Sequence, residues 1–141
     1  MERVVAVETG ARKYVENISI GPHALQADEP VAMGGGDSAP NPYELLLSAL
    51  GACTAITVQM FAERRRWPLQ KVHVELSHSK VHATDCANCA APSARLDRID
   101  VAIRFVGELS EEQRRKLMDV AEHCPLHRTL AAGLEISVRE H

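Results

Sequence analysis

Cysteines stand at positions 53, 86, 89 and 124, in three kinds of setting. Sulfur chemistry is therefore the first chemistry to weigh. Cys53 lies in Leu50-Gly51-Ala52-Cys53-Thr54-Ala55, where small neighbours let another backbone or a ligand come close. A packed, inert thiol is the simpler reading of that residue alone, because free Cys is often buried. Cys124 precedes Pro125 between two helical stretches, and His123, His127 and Arg128 bring possible positive charge. A cysteine at a helix start meets free N–H groups and the positive end of the helix dipole, both of which favour a thiolate. A small-residue-flanked Cys and an N-cap Cys together read as a dithiol pair.

Cys86 and Cys89 form Asp85-Cys86-Ala87-Asn88-Cys89, with His82 upstream. Three readings compete for this motif. A structural zinc site needs four ligands, and no second CxxC accompanies this one. A redox CxxC lacks the usual helix-start setting here. A pair of exposed loop thiols is the plainest reading. His73 and His78 fall on one strand with opposite parity, so they point to opposite faces and do not form a metal pair.

The elements that must position these residues follow from pattern. Val4–Ala6, Val15–Ile20 and His23–Ala27 read as short strands separated by Gly10 and Gly21-Pro22. Residues 33–42, rich in Gly, Pro, Asn and Asp, read as a loop. Asn41-Pro42 is a helix start, and the helix runs from Pro42 to about Arg65, where Trp67-Pro68 stops it. From Leu45 to Met60 that helix is apolar on nearly every face, which demands cover on several sides. Leu69–Val81 and Ile99–Val106 alternate as half-buried antiparallel strands joined by residues 83–95. Ser110-Glu111-Glu112-Gln113 is a capping box that opens a helix to about His123. Pro125 opens a further turn, and Leu134–Arg139 reads as a last strand. The order implies a single α+β domain, residues 1–141, with antiparallel sheet.

Composition limits the partners. The 141-residue chain is 45% apolar and carries a formal charge of -3. Beyond Arg64-Arg65-Arg66 it has no basic block, so nucleic acid is not an expected partner. No uninterrupted run of about 18 apolar residues is present, so no membrane span is expected. The N-terminus lacks the pattern of a signal peptide, which points to the cytoplasm, where lasting disulfides are uncommon.

The sequence resembles the OsmC/Ohr family. The resemblance is carried by Ala27-Asp28-Glu29-Pro30, Gly34-Gly35, Asn41-Pro42-Tyr43-Glu44-Leu45-Leu46-Leu47, Ala49-Leu50-Gly51-Ala52-Cys53-Thr54 and Cys124-Pro125-Leu126-His127-Arg128-Thr129-Leu130. It extends from about Gly10 to the C-terminus and is nearest the OsmC-like branch. It implies an intertwined homodimer with antiparallel sheets wrapped around long central helices, which would supply the cover the apolar helix needs. It implies thiol-dependent reduction of organic hydroperoxides, and more weakly of hydrogen peroxide, with no metal or organic cofactor. Cys53 would be the peroxidatic sulfur and Cys124 the resolving one, joined in a disulfide that an external dithiol reduces. The family also uses an Arg near the N-terminal strands, matched by Arg12, and a Glu at the helix start. In better-known members that Glu directly follows the Pro. Tyr43 stands there in this chain, and Glu44 comes one residue later. Nine residues before Cys53 along a helix is about 900° of rotation and about 13 Å of rise, half a turn out of phase.

A non-catalytic redox-sensing or ligand-binding dimer is the rival reading, and a zinc module at Cys86/Cys89 a third that metal analysis would test. Both helical cysteines are remote in sequence from the CxxC motif. Replacing Cys86 and Cys89 together by Ser is therefore expected to leave peroxide turnover with a dithiol near wild type. Loss of most activity would put that motif in the electron path.

Overall fold

A computed structural model describes residues 2–82 and 95–141 of the chain. The backbone gathers into two compact units, Met1–Ser48 and Ala49–His141, and the long helix passes from one into the other.

The first unit is built on a three-stranded antiparallel meander: β1 (Val5–Thr9), β2 (Glu16–Ile20) and β3 (His23–Ala27), with β2 in the centre. The register pairs Val7 with Ile18 and Ile18 with Leu25. The turn between β1 and β2 closes through Gly10 N–H to the Val15 carbonyl at 2.7 Å and Val15 N–H to the Arg12 carbonyl at 3.1 Å. Arg12 thus sits at the turn. After β3 comes a short 3-10 turn, Val31–Met33, and a glycine-rich loop. Gly35 N–H bonds the Pro30 carbonyl at 3.1 Å, and a Cβ at Gly35 would collide with the Glu29 carbonyl. Only glycine lets the loop fold back this closely.

Helix α1 spans Pro42–Arg65, as the sequence pattern predicts. Its start is a reciprocal cap. Glu44 N–H donates to Asn41 Oδ1 at 2.9 Å, and Asn41 N–H donates to Glu44 Oε1 at 3.3 Å. Its end winds into a left-handed residue, Arg66, at φ 56°, and Trp67 N–H reaches back to the Ala62 carbonyl at 2.9 Å. That is the Schellman closure, formed here by an arginine instead of the usual glycine.

In the second unit, β4 (Leu69–His82) and β5 (Arg95–Gly107) form a long antiparallel pair with one irregularity between Leu69 and Lys71. Helix α2 (Glu111–Ala121) follows, its cap completed by Ser110 and Gln113 side chains, each bonded to the other's backbone N–H. Arg114 fastens α2 to the end of β5, donating to the Phe105 carbonyl at 2.9 Å and the Gly107 carbonyl at 3.0 Å. The core of this unit is Val58 and Ala62 from α1, Phe105 from β5, and Leu117 and Ala121 from α2. Helix α3 spans Pro125–Ala132.

One expectation requires correction. Residues 134–139 form no strand. Their alternation of Leu134, Ile136 and Val138 is of the strand type, but a strand exists only through ladder hydrogen bonds to a neighbour. Within the single chain these three side chains are 60%, 80% and 90% exposed. Helix α1 is long and apolar enough, by length and composition alone, to cross a membrane. Its interruptions, Ser48, Gly51, Thr54 and Gln59, are uncharged, so they break an apolar run without making it polar. Core helices of soluble proteins pass the same test. The reading of residues 83–95 as a loop falls largely outside the described residues, although Arg95 already belongs to β5.

Leu117 is fully buried in the core of the second unit. Leu117→Ala should lower unfolding free energy by about 2–5 kcal/mol, the usual cost of a cavity left in a packed core. The midpoint of urea denaturation checks this; an unchanged midpoint would mean that the cluster does not carry the unit's stability.

Candidate functional site

The geometry of the second unit turns on the first turn of α3. A helix start leaves its leading N–H groups without intrahelical partners. Pro125 occupies the first position and has no N–H to satisfy. The next two donors both go to sulfur. Leu126 N–H points at Cys53 Sγ at 3.5 Å, and His127 N–H at Cys124 Sγ at 3.3 Å. Cys124 is itself the N-cap, with extended backbone at φ -62°, ψ 149°. Its carbonyl accepts the first helical bond, from Arg128 N–H at 3.1 Å. Adjacent backbone donors of one turn therefore hold sulfurs that are 71 positions apart in sequence, as the numbering of Cys53 and Cys124 gives.

The two thiols are free and differently placed: Cys53 is half-buried, whereas Cys124 is fully buried. A third group lies beside them. Thr54 Oγ1 is 3.7 Å from Cys124 Sγ and 2.9 Å from the Leu50 carbonyl. The small residues around Cys53 have a structural reason. A Cβ on Gly51 would lie 2.8 Å from Leu76 Cδ1, so α1 crosses β4 closely at that point. His127 contributes its backbone N–H to the site. His123 turns to α2, where Nδ1 lies 2.7 Å from the Asp119 carbonyl and 3.7 Å from its carboxylate.

Arg12 and Glu44 belong to the first unit, and each has partners there. Arg12 Nη2 donates to Ser38 Oγ at 3.4 Å and lines a concavity of about 250 Å³ with Lys13, Asp28 and the glycines at 34–36. Glu44 is the acid of the α1 cap. Ser38 in turn donates through Oγ at 2.7 Å and through N–H at 3.0 Å to Asp28 Oδ2, and Glu29 N–H donates to Oδ1 at 2.7 Å. The Ser38 hydroxyl, then the Ser38 and Glu29 N–H groups, hold the Asp28 carboxyl down at about 2. This buried aspartate ties the two ends of the glycine-rich loop together.

No group of three or more His, Cys, Asp or Glu side chains suited to a metal ion occurs among the described residues. Cys86 and Cys89 lie outside them. His73 and His78 stand on opposite faces of β4, in separate pairs with Glu75 at 3.0 Å and Asp97 at 2.7 Å. The hydrogen bond and charge of His73 lower the Glu75 carboxyl below its ordinary range.

The OsmC-like protein family matches residues 34–139. No curated protein matches the chain. Among solved structures, an OsmC-like protein from Mycoplasma pneumoniae is similar with a TM-score of 0.72 and 18% identity, covering 93% of this chain and 88% of its own. An organic hydroperoxide resistance protein, OsmC, from Legionella pneumophila gives 0.64 and 18% over 91% and 88%. The organic hydroperoxide resistance protein OhrB of Bacillus subtilis gives 0.61 and 16% over 91% and 89%. At these identities the likeness establishes the fold, the α+β arrangement of antiparallel sheets and helices expected from the sequence.

The Asp28 carboxyl is lowered from 3.8, so its bonds stabilise the folded chain above that value and cease to do so as pH falls towards 2. Urea midpoints of wild type and Asp28→Asn should differ most near neutral pH and converge as pH falls through that window. A gap that stays constant with pH would separate the loop's stability from this carboxylate.

Proposed function

The chain belongs to the OsmC-like protein family, and on that premise we propose that it is a cytoplasmic, thiol-dependent peroxidase of organic hydroperoxides, acting as a homodimer of single OsmC-like domains without metal or organic cofactor. The observation that carries the reading is the placing of two sulfurs on adjacent N–H donors of one helix start. Hydroperoxide resistance in the names of similar structures supports the substrate class.

In this reading Cys53, the more accessible sulfur, attacks the terminal peroxide oxygen as a thiolate. The O–O bond breaks, the alkoxide leaves and takes up a proton as the alcohol, and Cys53 becomes a sulfenic acid. Leu126 N–H is aimed at that sulfur. Cys124 then displaces the sulfenic oxygen to form the disulfide, and an external dithiol restores both thiols by exchange. Burial of Cys124 suits a group that meets sulfur and not peroxide. Arg12 and Glu44 are proposed to serve the site, Arg12 as the cation that assists Cys53.

One observation favours the rival, a redox-sensing dimer without turnover: the Glu44 carboxylate is engaged at the α1 cap. Substitution separates the readings. Cys53→Ser should abolish even the first oxidation. Cys124→Ser should consume about one equivalent of peroxide and stop at a sulfenic acid open to over-oxidation. Wild type should turn over with dithiol and form a Cys53–Cys124 bond visible by mass spectrometry. Retained turnover in Cys53→Ser would overturn the assignment, and stoichiometric oxidation without turnover in wild type would favour the sensor.

A further inference from the structure

Thr54 directly follows the proposed peroxidatic cysteine, yet its hydroxyl faces the other sulfur. The side chain is buried at 3% exposure. The Leu50 carbonyl at 2.9 Å can only accept, and the hydroxyl proton goes to it; the contact with Cys124 Sγ, in which either atom could donate, is the longer one. With that proton committed, Oγ1 presents only lone pairs to Cys124 Sγ at 3.7 Å. A hydrogen bond across that gap requires sulfur to donate. Cys124 Sγ meanwhile accepts from His127 N–H at 3.3 Å. The bonds then run one way: His127 N–H to Cys124 sulfur, Cys124 S–H to Thr54 oxygen, Thr54 O–H to the Leu50 carbonyl.

From this polarity we infer that Thr54 is a positioning residue for disulfide formation, holding Cys124 as an oriented thiol through an S–H bond to Oγ1. The inference rests on the peroxidase reading and deepens it. A hydroxyl free to donate would favour a second thiolate, and the i−4 bond to Leu50 removes that option. The two sulfurs are thereby made unequal: an N–H donor addresses Cys53, while Cys124 is bracketed by one donor and one acceptor. The S–H proton is fixed towards Thr54, so the sulfur lone pair that attacks is held clear of it. In the step itself the Cys124 sulfur forms the S–S bond as the S–O bond of the Cys53 sulfenic acid breaks. The departing hydroxide takes the Cys124 proton, and the products are the disulfide and one water. Nothing else is oxidised or reduced.

The test is a single-turnover measurement with cumene hydroperoxide on the full chain, quenched by alkylation and read by peptide mass spectrometry. It follows Cys53 oxidation and Cys53–Cys124 bond formation as separate rates. Thr54→Val keeps the shape and removes the hydroxyl. Losing one oriented hydrogen bond should lower the ratio of disulfide formation to first oxidation by about tenfold. Cys53 sulfinic acid should rise in proportion as peroxide is increased. Thr54→Ser, which keeps the hydroxyl, should restore the wild-type ratio. If Thr54→Val fails to fold, Thr54→Ala compared with Thr54→Ser should show the same split. A wild-type ratio in the variant without hydroxyl overturns the inference, as does a serine variant as impaired as valine, which would assign the effect to the lost methyl packing. Absence of any Cys53 oxidation in wild type is a different result: it overturns the peroxidase reading, and this inference with it.

Discussion

The candidate site depends on an unsatisfied helix end. The first turn of α3 has two N–H groups to place, because Pro125 removes one donor and Arg128 N–H is taken by the Cys124 carbonyl. Buried N–H groups left without acceptors are costly. Both find sulfur, and in doing so they fix where the sulfurs lie. The thiols are thus part of the helix cap, and the cap is part of the chemistry. A shift of the α3 start carries Cys124 with it and changes the Leu126 N–H contact to Cys53, which stands on α1.

Around that cap the second unit is arranged to resist motion. Val58 and Ala62 of α1 meet Leu117 and Ala121 of α2 in one cluster, and Cys53 lies on the same helix as the first pair. Arg114 ties α2 to the last carbonyls of β5. The short link from α2 to α3 is then bonded at Glu122, His123 and Cys124, each N–H reaching a carbonyl of α2. The core therefore positions the α3 cap on one side and α1 on the other. The glycine-rich loop of the first unit is held by a different device, a buried carboxylate with three donors, which needs no apolar core at all.

Much of this was legible in the sequence where a local rule decides the outcome. Asn41-Pro42 and Trp67-Pro68 bracket α1, because capping and proline geometry act over a few neighbours. The Ser110 capping box and the N-cap role of Cys124 were legible for the same reason. The roles of Thr54 and Asp28 were not. A threonine in a helix interior reads as filler until the partner of its hydroxyl is known, and that partner is 70 residues away. Asp28 reads as a loop acid until Ser38 folds back onto it. His123 illustrates the opposite error. Its proximity to Cys124 in sequence suggested charge at the sulfur, but one helical turn carries its ring to Asp119 instead.

The failed strand at residues 134–139 and the apolar surface of α1 belong to one argument. On α1, Ala49, Ala52, Ile56 and Met60 recur at spacings of three and four and are all exposed in the single chain. That is a second apolar face, opposite the buried stripe of Leu50, Thr54, Val58 and Ala62. A stripe at helical spacing is the mark of a packed face, and the small residues at 49 and 52 let another element approach closely. Among the described residues the β4–β5 sheet has two strands, and such pairs are marginal unless further strands or a helix support them. Leu134, Ile136 and Val138 alternate as one side of a strand would, yet lack a ladder. Each of these is incomplete in the same sense: the sequence prepares an apolar or hydrogen-bonding surface that the chain does not itself cover. The proposed homodimer is the economical completion, since a second copy brings the same helical face, the same sheet edges and the same unpaired segment, and every surface that needs a partner also supplies one.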